Sequence, residues 1–192
     1  MGYSLEKYSY RKKFLGNKIA LSKLFFQATK EYEILFKKFG LNKHKFFYNI
    51  LNKKNSEIEE LTIIKKKNKL LGFISGFSSD EYKFRKLISF LVLKNMIFPK
   101  NLTFIPQNKM SRLEPLEKSY YLSRISIDKK NRKKGLADRL LKKFTDNIKK
   151  SKHKFITLHV NKNNKSAIKF YIKNNFKIIK MIDVFIYMRK KI

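Results

Sequence analysis

Hydrophobic and polar positions change period along the chain, and each change marks an element. Residues 8–14 alternate aromatic and polar positions and predict a first strand. Over 17–39 the apolar positions Ile19, Leu21, Leu24, Phe25, Ala28, Tyr32, Leu35 and Phe36 fall at helical spacing, and Gly40 closes the run. A second helix is predicted over 43–51, carried by Phe46, Phe47, Ile50 and Leu51. Strands are expected over 60–65 and 70–77, joined by a charged turn as an antiparallel hairpin. Gly72 and Gly76 interrupt the second strand, which suits a close approach by another backbone or a ligand, or an ordinary bulge.

Ser78 and Ser79 offer N-caps for a helix to about residue 96, with Asp80 and Glu81 in its first turn. Its middle, LISFLVL, is apolar nearly all round and is expected to be largely buried. Residues 98–115 hold all three prolines and read as an irregular connection, of the kind that often contacts substrate. A strand over 120–127 follows, then a helix over 135–150 with a stripe of Leu136, Leu140, Leu141, Phe144 and Ile148. A strand over 155–160, a helix beginning at Asn164 or Ser166, and strands over 176–179 and 183–188 complete the chain. The order predicts a mixed α/β (α+β) sheet with helices on both faces.

Length and composition place the chain among globular proteins, as a single domain over 1–192 that is long enough to bury a core. Without cysteine there is no disulfide, thiolate metal site or thiol nucleophile. His44, His153 and His159 lack a second ligand at metal spacing, so no metal is expected. No apolar stretch reaches the ~18 residues of a membrane span, and the N-terminus lacks a signal-peptide pattern, so a cytoplasmic protein is expected. A net charge of +33 raises a nucleic-acid reading, but the lysines are spread over every segment rather than gathered into a stripe. Abundant Lys, Asn, Ile and Phe beside scarce Gly and Pro reads as AT-rich coding bias, and nucleic acid is disfavoured as a partner.

The chemistry concentrates at 120–137, YYLSRISIDKKNRKKGLA, where a strand runs through a polar turn into a helix opened by Gly135. Free amides at such a helix N-terminus make an anion site. Arg132-Lys133-Lys134-Gly135-Leu136-Ala137 fits Arg/Gln-x-x-Gly-x-Gly/Ala, while the absence of Gly-Lys-Ser/Thr excludes a Walker A loop. Downstream, Leu158-His159-Val160 leads to Asn164, Ala167, Tyr171 and Phe176. This resembles the Leu-x-Val-x3-Asn-x2-Ala-x3-Tyr-x3-Gly-Phe pattern of the GCN5-related N-acetyltransferase (GNAT) superfamily, with the Arg132–Ala137 loop at the expected distance upstream. The motif core spans about 120–176, and the helix and loop at about 78–117 stand where the family places acceptor-specific structure. The N-terminal half agrees only in element order.

The resemblance implies a mostly antiparallel central sheet and acetyl-CoA as co-substrate. Backbone amides of Lys133, Lys134, Gly135, Leu136 and Ala137 would take the pyrophosphate, with charge from Arg132. Main-chain groups of Ile125, Ser126 and Ile127 would pair with the pantetheine arm, the Ile127 amide polarising the thioester carbonyl. Asn164 would contact the pantetheine, and Ala167 and Phe170 would line the cofactor side. Tyr171 would protonate the departing thiolate; without the resemblance it reads as a core aromatic. Asn175 replaces the usual Gly at a position where Asn tolerates a left-handed backbone.

Tyr121 and His159 occupy places where many relatives keep a basic Glu. His159 is then the local candidate to accept the amine proton, beside the reading of a histidine filling a strand position; Glu114 and Glu117 are reserves. The expected activity is acetyl transfer to a primary amine, of a small molecule such as an amino sugar or else of a protein N-terminus or lysine. A non-catalytic acyl-CoA-binding or basic RNA-associated module is the reading from another class. A homodimer through the final strands is left open.

Overall fold

The computed structural model describes residues 2–9, 17–29, 36–37, 39–97 and 113–192. In chain order these form β1 (Ser4–Ser9), α1 (Lys18–Ala28), α2 (Lys43–Leu51), β2 (Glu60–Lys66), β3 (Lys69–Ser78), α3 (Tyr82–Ile97) and β4 (Tyr120–Ile127). Then come α4 (Leu136–Lys149), β5 (Phe155–Asn161), α5 (Lys165–Lys173), β6 (Lys177–Ile182) and β7 (Phe185–Lys191). The strands make one seven-stranded sheet in the order β1-β2-β3-β4-β5-β7-β6. Every neighbouring pair is antiparallel except β4 and β5, which lie parallel. A parallel pair needs a crossover, and α4 supplies it.

Asparagines start three of the helices. Asn17 accepts from the amide of Ala20 at 2.9 Å, Asn42 from those of His44 and Lys45, and Asn164 from that of Ala167. The sheet then divides its side chains by strand alternation. One face packs Ile74, Leu122, Ile156, Leu158, Val160, Ile186 and Met188 under Leu136, Leu140, Leu141 and Phe144 of α4. The other packs Leu61, Ile63 and Phe73 under α1, α2 and α3, where Phe25, Phe26, Phe46 and Phe47 interlock.

The mixed sheet with helices on both faces is as the hydrophobic pattern predicts, but several details differ. The first strand begins at Ser4 rather than residue 8, and the expected strand residues 10–14 lie outside the described residues. The expected helix over 17–39 closes at Ala28, where the Thr29 amide turns back to Phe26; residues 30–35 and 38 of the run lie outside the described residues. Neither Ser78 nor Ser79 caps α3. Residues Ser79–Glu81 form a 3-10 turn, and the Ser79 hydroxyl accepts instead from the Ser119 amide, pinning the entrance of β4.

The LISFLVL segment, expected to be largely buried, is buried at Ser89, Val92 and Leu93 and half-buried at Ile88 and Phe90, whereas Leu87 and Leu91 stay exposed together with Phe84. A helix laid on a sheet has only one covered side. Of the proline connection over 98–115, only residues 113–115 are described.

Gly72 and Gly76 make room for backbone. A Cβ at Gly72 would stand 2.6 Å from the Ser126 carbonyl, and one at Gly76 would stand 2.5 Å from that of Tyr121. The register also shifts here: Ser75 faces Arg124 and Gly76 faces Leu122, leaving Ser123 as the extra residue of a bulge. Tyr121 and Arg124, three positions apart, therefore share a face of the sheet. Tyr121 packs on Tyr82, and the Arg124 guanidinium lies 4.4 Å over the Phe25 ring.

Candidate functional site

The parallel ladder between β4 and β5 consists of two registers, Tyr120 with Ile156 and Tyr121 with Thr157. Both strands continue beyond it without pairing to each other, so the middle of the sheet opens into a cleft. The amide of Asp128 donates to the Leu71 carbonyl of β3 at 2.8 Å. Alternation then turns the amides of Ile125 and Ile127 the other way, toward the cleft. The Ile127 carbonyl, which faces the same way, accepts from Gln27 Nε2 at 2.8 Å and from Arg132 Nε at 3.3 Å. Gln27 also reaches the Ser126 hydroxyl. This glutamine of α1 was not singled out in the sequence, where it sits as one polar residue among helix-spaced apolar ones.

Beyond β4 a 3-10 turn (Lys129–Asn131) leads through Lys133, at φ 60°, to Gly135, at φ 69°, which precedes α4. Gly135 offers no side-chain cap, so the first amides of α4 are left to a ligand. A Cβ at Gly135 would meet nothing within 4 Å, so the approach is open. Arg132, Lys133 and Lys134 are exposed around it. An uncapped helix N-terminus ringed by cations, next to an open strand edge, fits an extended ligand with a diphosphate.

After β5, α5 carries the second set of candidates. Asn164 spends its oxygen on capping, accepting from Ala167 N and Ser166 Oγ. Ala167 and Phe170 are partly buried against the apolar core. Tyr171 is buried between Phe170 and Phe176, with ring centroids 5.3 and 5.4 Å away. Burial raises its hydroxyl well above the usual tyrosine range, so it holds its proton at neutral pH. The helix ends in a Schellman arrangement: Phe176 N donates to Tyr171 O and Asn175 N to Ile172 O, with Asn175 left-handed at φ 65°.

The opposite face of β4, β5 and β7 is polar. Tyr121 and His159 are joined by a 3.3 Å hydrogen bond between the phenol oxygen and Nδ1, and the His159 ring lies 5.0 Å from Tyr187. Burial, helped by the charge of Lys86, pushes the His159 imidazole down to about 4, so it is neutral at pH 7. The reserve carboxylates are engaged elsewhere. Glu117 accepts from Arg189 and Tyr187, and Glu114 pairs with Lys83.

Sequence reasoning missed Glu57. Its carboxylate is buried and accepts from Arg124 at 2.8 Å and Lys86 at 2.6 Å. Burial alone would raise it, but the two cations and their hydrogen bonds hold it down to about 2. The segment around it, NSEIEE, reads as a solvated charged run, and no sequence signal marks it as interior. Among the described residues no cluster of His, Cys, Asp and Glu is placed to hold a metal, and no helix is long and apolar enough to cross a membrane.

Residues 115–184 match the family model described as FR47-like protein. No curated protein sequence matches the chain. Solved structures resemble it along its whole length. One described as an acetyltransferase is 16% identical, with 98% of each chain covered and a TM-score of 0.68. PH1933 from Pyrococcus horikoshii OT3 is 18% identical, covering 100% of this chain and 99% of its own, with a TM-score of 0.64. PaiA N-acetyltransferase from Thermoplasma acidophilum, solved in complex with coenzyme A, is 16% identical over 100% of both chains, with a TM-score of 0.61. At these identities the likeness is one of fold, a seven-stranded sheet flanked by helices.

Proposed function

We propose that this chain is a member of the GNAT superfamily and a cytosolic N-acetyltransferase that moves acetyl from acetyl-CoA directly to a primary amine. The observation that carries the reading is the parting of β4 and β5 beyond Tyr121, with the uncapped start of α4 following β4. Amides of Lys133, Lys134, Gly135, Leu136 and Ala137, with Arg132, bind the pyrophosphate. The open edge at Ile125, Ser126 and Ile127 pairs with the pantetheine amides as a strand would. Asn164, Ala167 and Phe170 form the facing wall. Gln27 and Arg132 hold the Ile127 carbonyl, and the amide of the same residue points into the cleft and polarises the thioester carbonyl.

The amine nitrogen attacks the thioester carbon, its proton passes to His159 directly or through water, and the C–S bond then breaks. The departing thiolate takes the Tyr171 proton; His159 then returns the amine proton to solvent and Tyr171 regains one from it. His159 is neutral at pH 7 and so has a lone pair to offer. The aromatic and polar enclosure of Tyr82, Tyr121, His159 and Tyr187 supports a small acceptor, such as an amino sugar or other metabolite.

The test is a screen of amine acceptors followed by release of the CoA thiol, beside calorimetric titration with CoA. Tyr171→Phe is expected to keep CoA binding and to lower turnover about 100-fold. Unchanged turnover removes Tyr171 from the mechanism. CoA binding without turnover of any amine favours a non-catalytic acyl-CoA module, and failure to bind CoA ends the reading.

A further inference from the structure

The carbonyl of Ile127 faces the cleft, yet its hydrogen-bonding capacity is already spent. It accepts from Gln27 Nε2 at 2.8 Å and from Arg132 Nε at 3.3 Å. A carbonyl oxygen has two lone pairs, and here each has its donor. An extended ligand that pairs with a strand edge brings N–H groups to it as well as carbonyls. The pantetheine arm of CoA carries secondary amides, each with an N–H that needs an acceptor on this wall. Ile127 can offer the arm its amide but not its oxygen.

The orientation of the Gln27 side chain is fixed by its neighbours. Ile127 O can only accept, so the nitrogen end of the side-chain amide must face it. The second N–H is directed at Ser126 Oγ, 3.4 Å away. Oε1 is then the unspent end of the group, and among the described residues no donor reaches it. The side chain is half-buried, and Oε1 keeps contact with solvent. The helix is anchored on both sides of this residue. Phe25 and Phe26 before it are buried, Phe25 under the Arg124 guanidinium at 4.4 Å. Thr29 after it donates its hydroxyl back to the Phe25 carbonyl at 2.9 Å.

We propose that Gln27 is a binding residue for the pantetheine arm: it fills the Ile127 carbonyl with its own N–H and offers the arm Oε1 in exchange. The proposal rests on the reading of the cleft as the CoA site given above. A strand edge holds its acceptors in the plane of the sheet. Gln27 moves one of them out of that plane, to the side from which α1 approaches. The arm is therefore read by α1 as well as by β4, and the N-terminal half of the chain, where the motifs are silent, takes part in holding the cofactor.

Calorimetric titration of the full chain tests this with two probes, CoA and 3′-phosphoadenosine 5′-diphosphate, which is CoA without its pantetheine arm. The quantity read is the ratio of the two affinities, because a change in folding or in charge near the nucleotide moves both and cancels. Gln27→Met removes both ends of the amide at nearly constant length, and the ratio is expected to fall about 10-fold. Gln27→Lys keeps a donor for Ile127 O and removes only the acceptor, and the ratio should fall by a similar factor. An unchanged ratio in either variant overturns the proposal. In particular, a ratio lost in Gln27→Met and kept in Gln27→Lys would make the glutamine a mere tie between α1 and β4. Should Gln27→Met fail to fold, Gln27→Lys decides alone. If the unsubstituted chain bound the two probes equally, the arm would make no contact and only this inference would fall. If it bound neither, the proposed function would fall first and take the inference with it.

Discussion

The two faces of β4, β5 and β7 are filled in opposite ways by one alternating pattern. Leu122, Ile156, Leu158, Val160, Ile186 and Met188 turn toward α4 and form an apolar layer. Their neighbours Tyr121, Arg124, Thr157, His159, Tyr187 and Arg189 turn away from it and, with Glu57, Lys86 and Glu117, make a network of ions and hydroxyls. The apolar face gains stability by leaving water. The polar face places charge and protons where water is scarce, and this costs stability unless every partner is present. Packing and chemistry thus occupy the same strands without competing for the same positions.

The sharpest way to break this contrast is Glu57→Ala. It would remove the buried carboxylate that Arg124 and Lys86 share, and an expected loss of about 3–5 kcal/mol should appear in urea unfolding. Leu158→Ala on the apolar face should cost about 2–5 kcal/mol through a cavity instead, with no change in how stability depends on pH. If the two variants showed the same pH dependence, the faces would not differ as described.

Glu57 and His159 predict the acid behaviour of the polar face. Glu57 is held down at about 2 when folded, below its ordinary 4.5. Its contribution is therefore complete above that ordinary value and is lost as pH falls toward 2. His159 is also lowered, from 6.5 to about 4, so between those values the unfolded chain binds a proton that the folded chain refuses. Stability should fall as pH drops through that window, and His159→Gln should flatten the fall in denaturation midpoints.

The smallest expected effect lies at the cleft. Gly135→Ala meets no clash but forces a side chain into φ 69°, costing about 1–2 kcal/mol of stability. Its larger consequence should be weaker CoA binding by calorimetry, because the methyl group stands in the approach to the α4 amides. Unchanged CoA affinity would move the pyrophosphate away from this turn.

The legible part of the molecule was the part whose information is local. The strand, loop and helix from Tyr120 to Lys149 could be read because alternation, a glycine and a helical stripe follow one another within a short stretch. Asn175 could be read as a left-handed position because few residues tolerate one. Glu57 could not, since its burial depends on Arg124 and Lys86, which are far along the chain and reach it only in the fold. The bulge at Ser123 was hidden for a similar reason, because a bulge is a relation between two strands. The exposed Phe84, Leu87 and Leu91 show the reverse error: hydrophobic sequence was read as buried helix although the sheet covers one side only.

The short parallel ladder gives β4 an unusual exchange behaviour. It lies in the middle of a seven-stranded sheet, yet past Tyr121 one of its sides is that of an edge strand. Amide hydrogens along it should exchange with solvent deuterium in alternation. Asp128, tied to Leu71, should be slow, while Ile125 and Ile127, which face the cleft, should be fast. A ligand that lies in the cleft and pairs with β4 would erase this two-residue rhythm, so the sheet's own deuterium uptake would report when its centre has been filled.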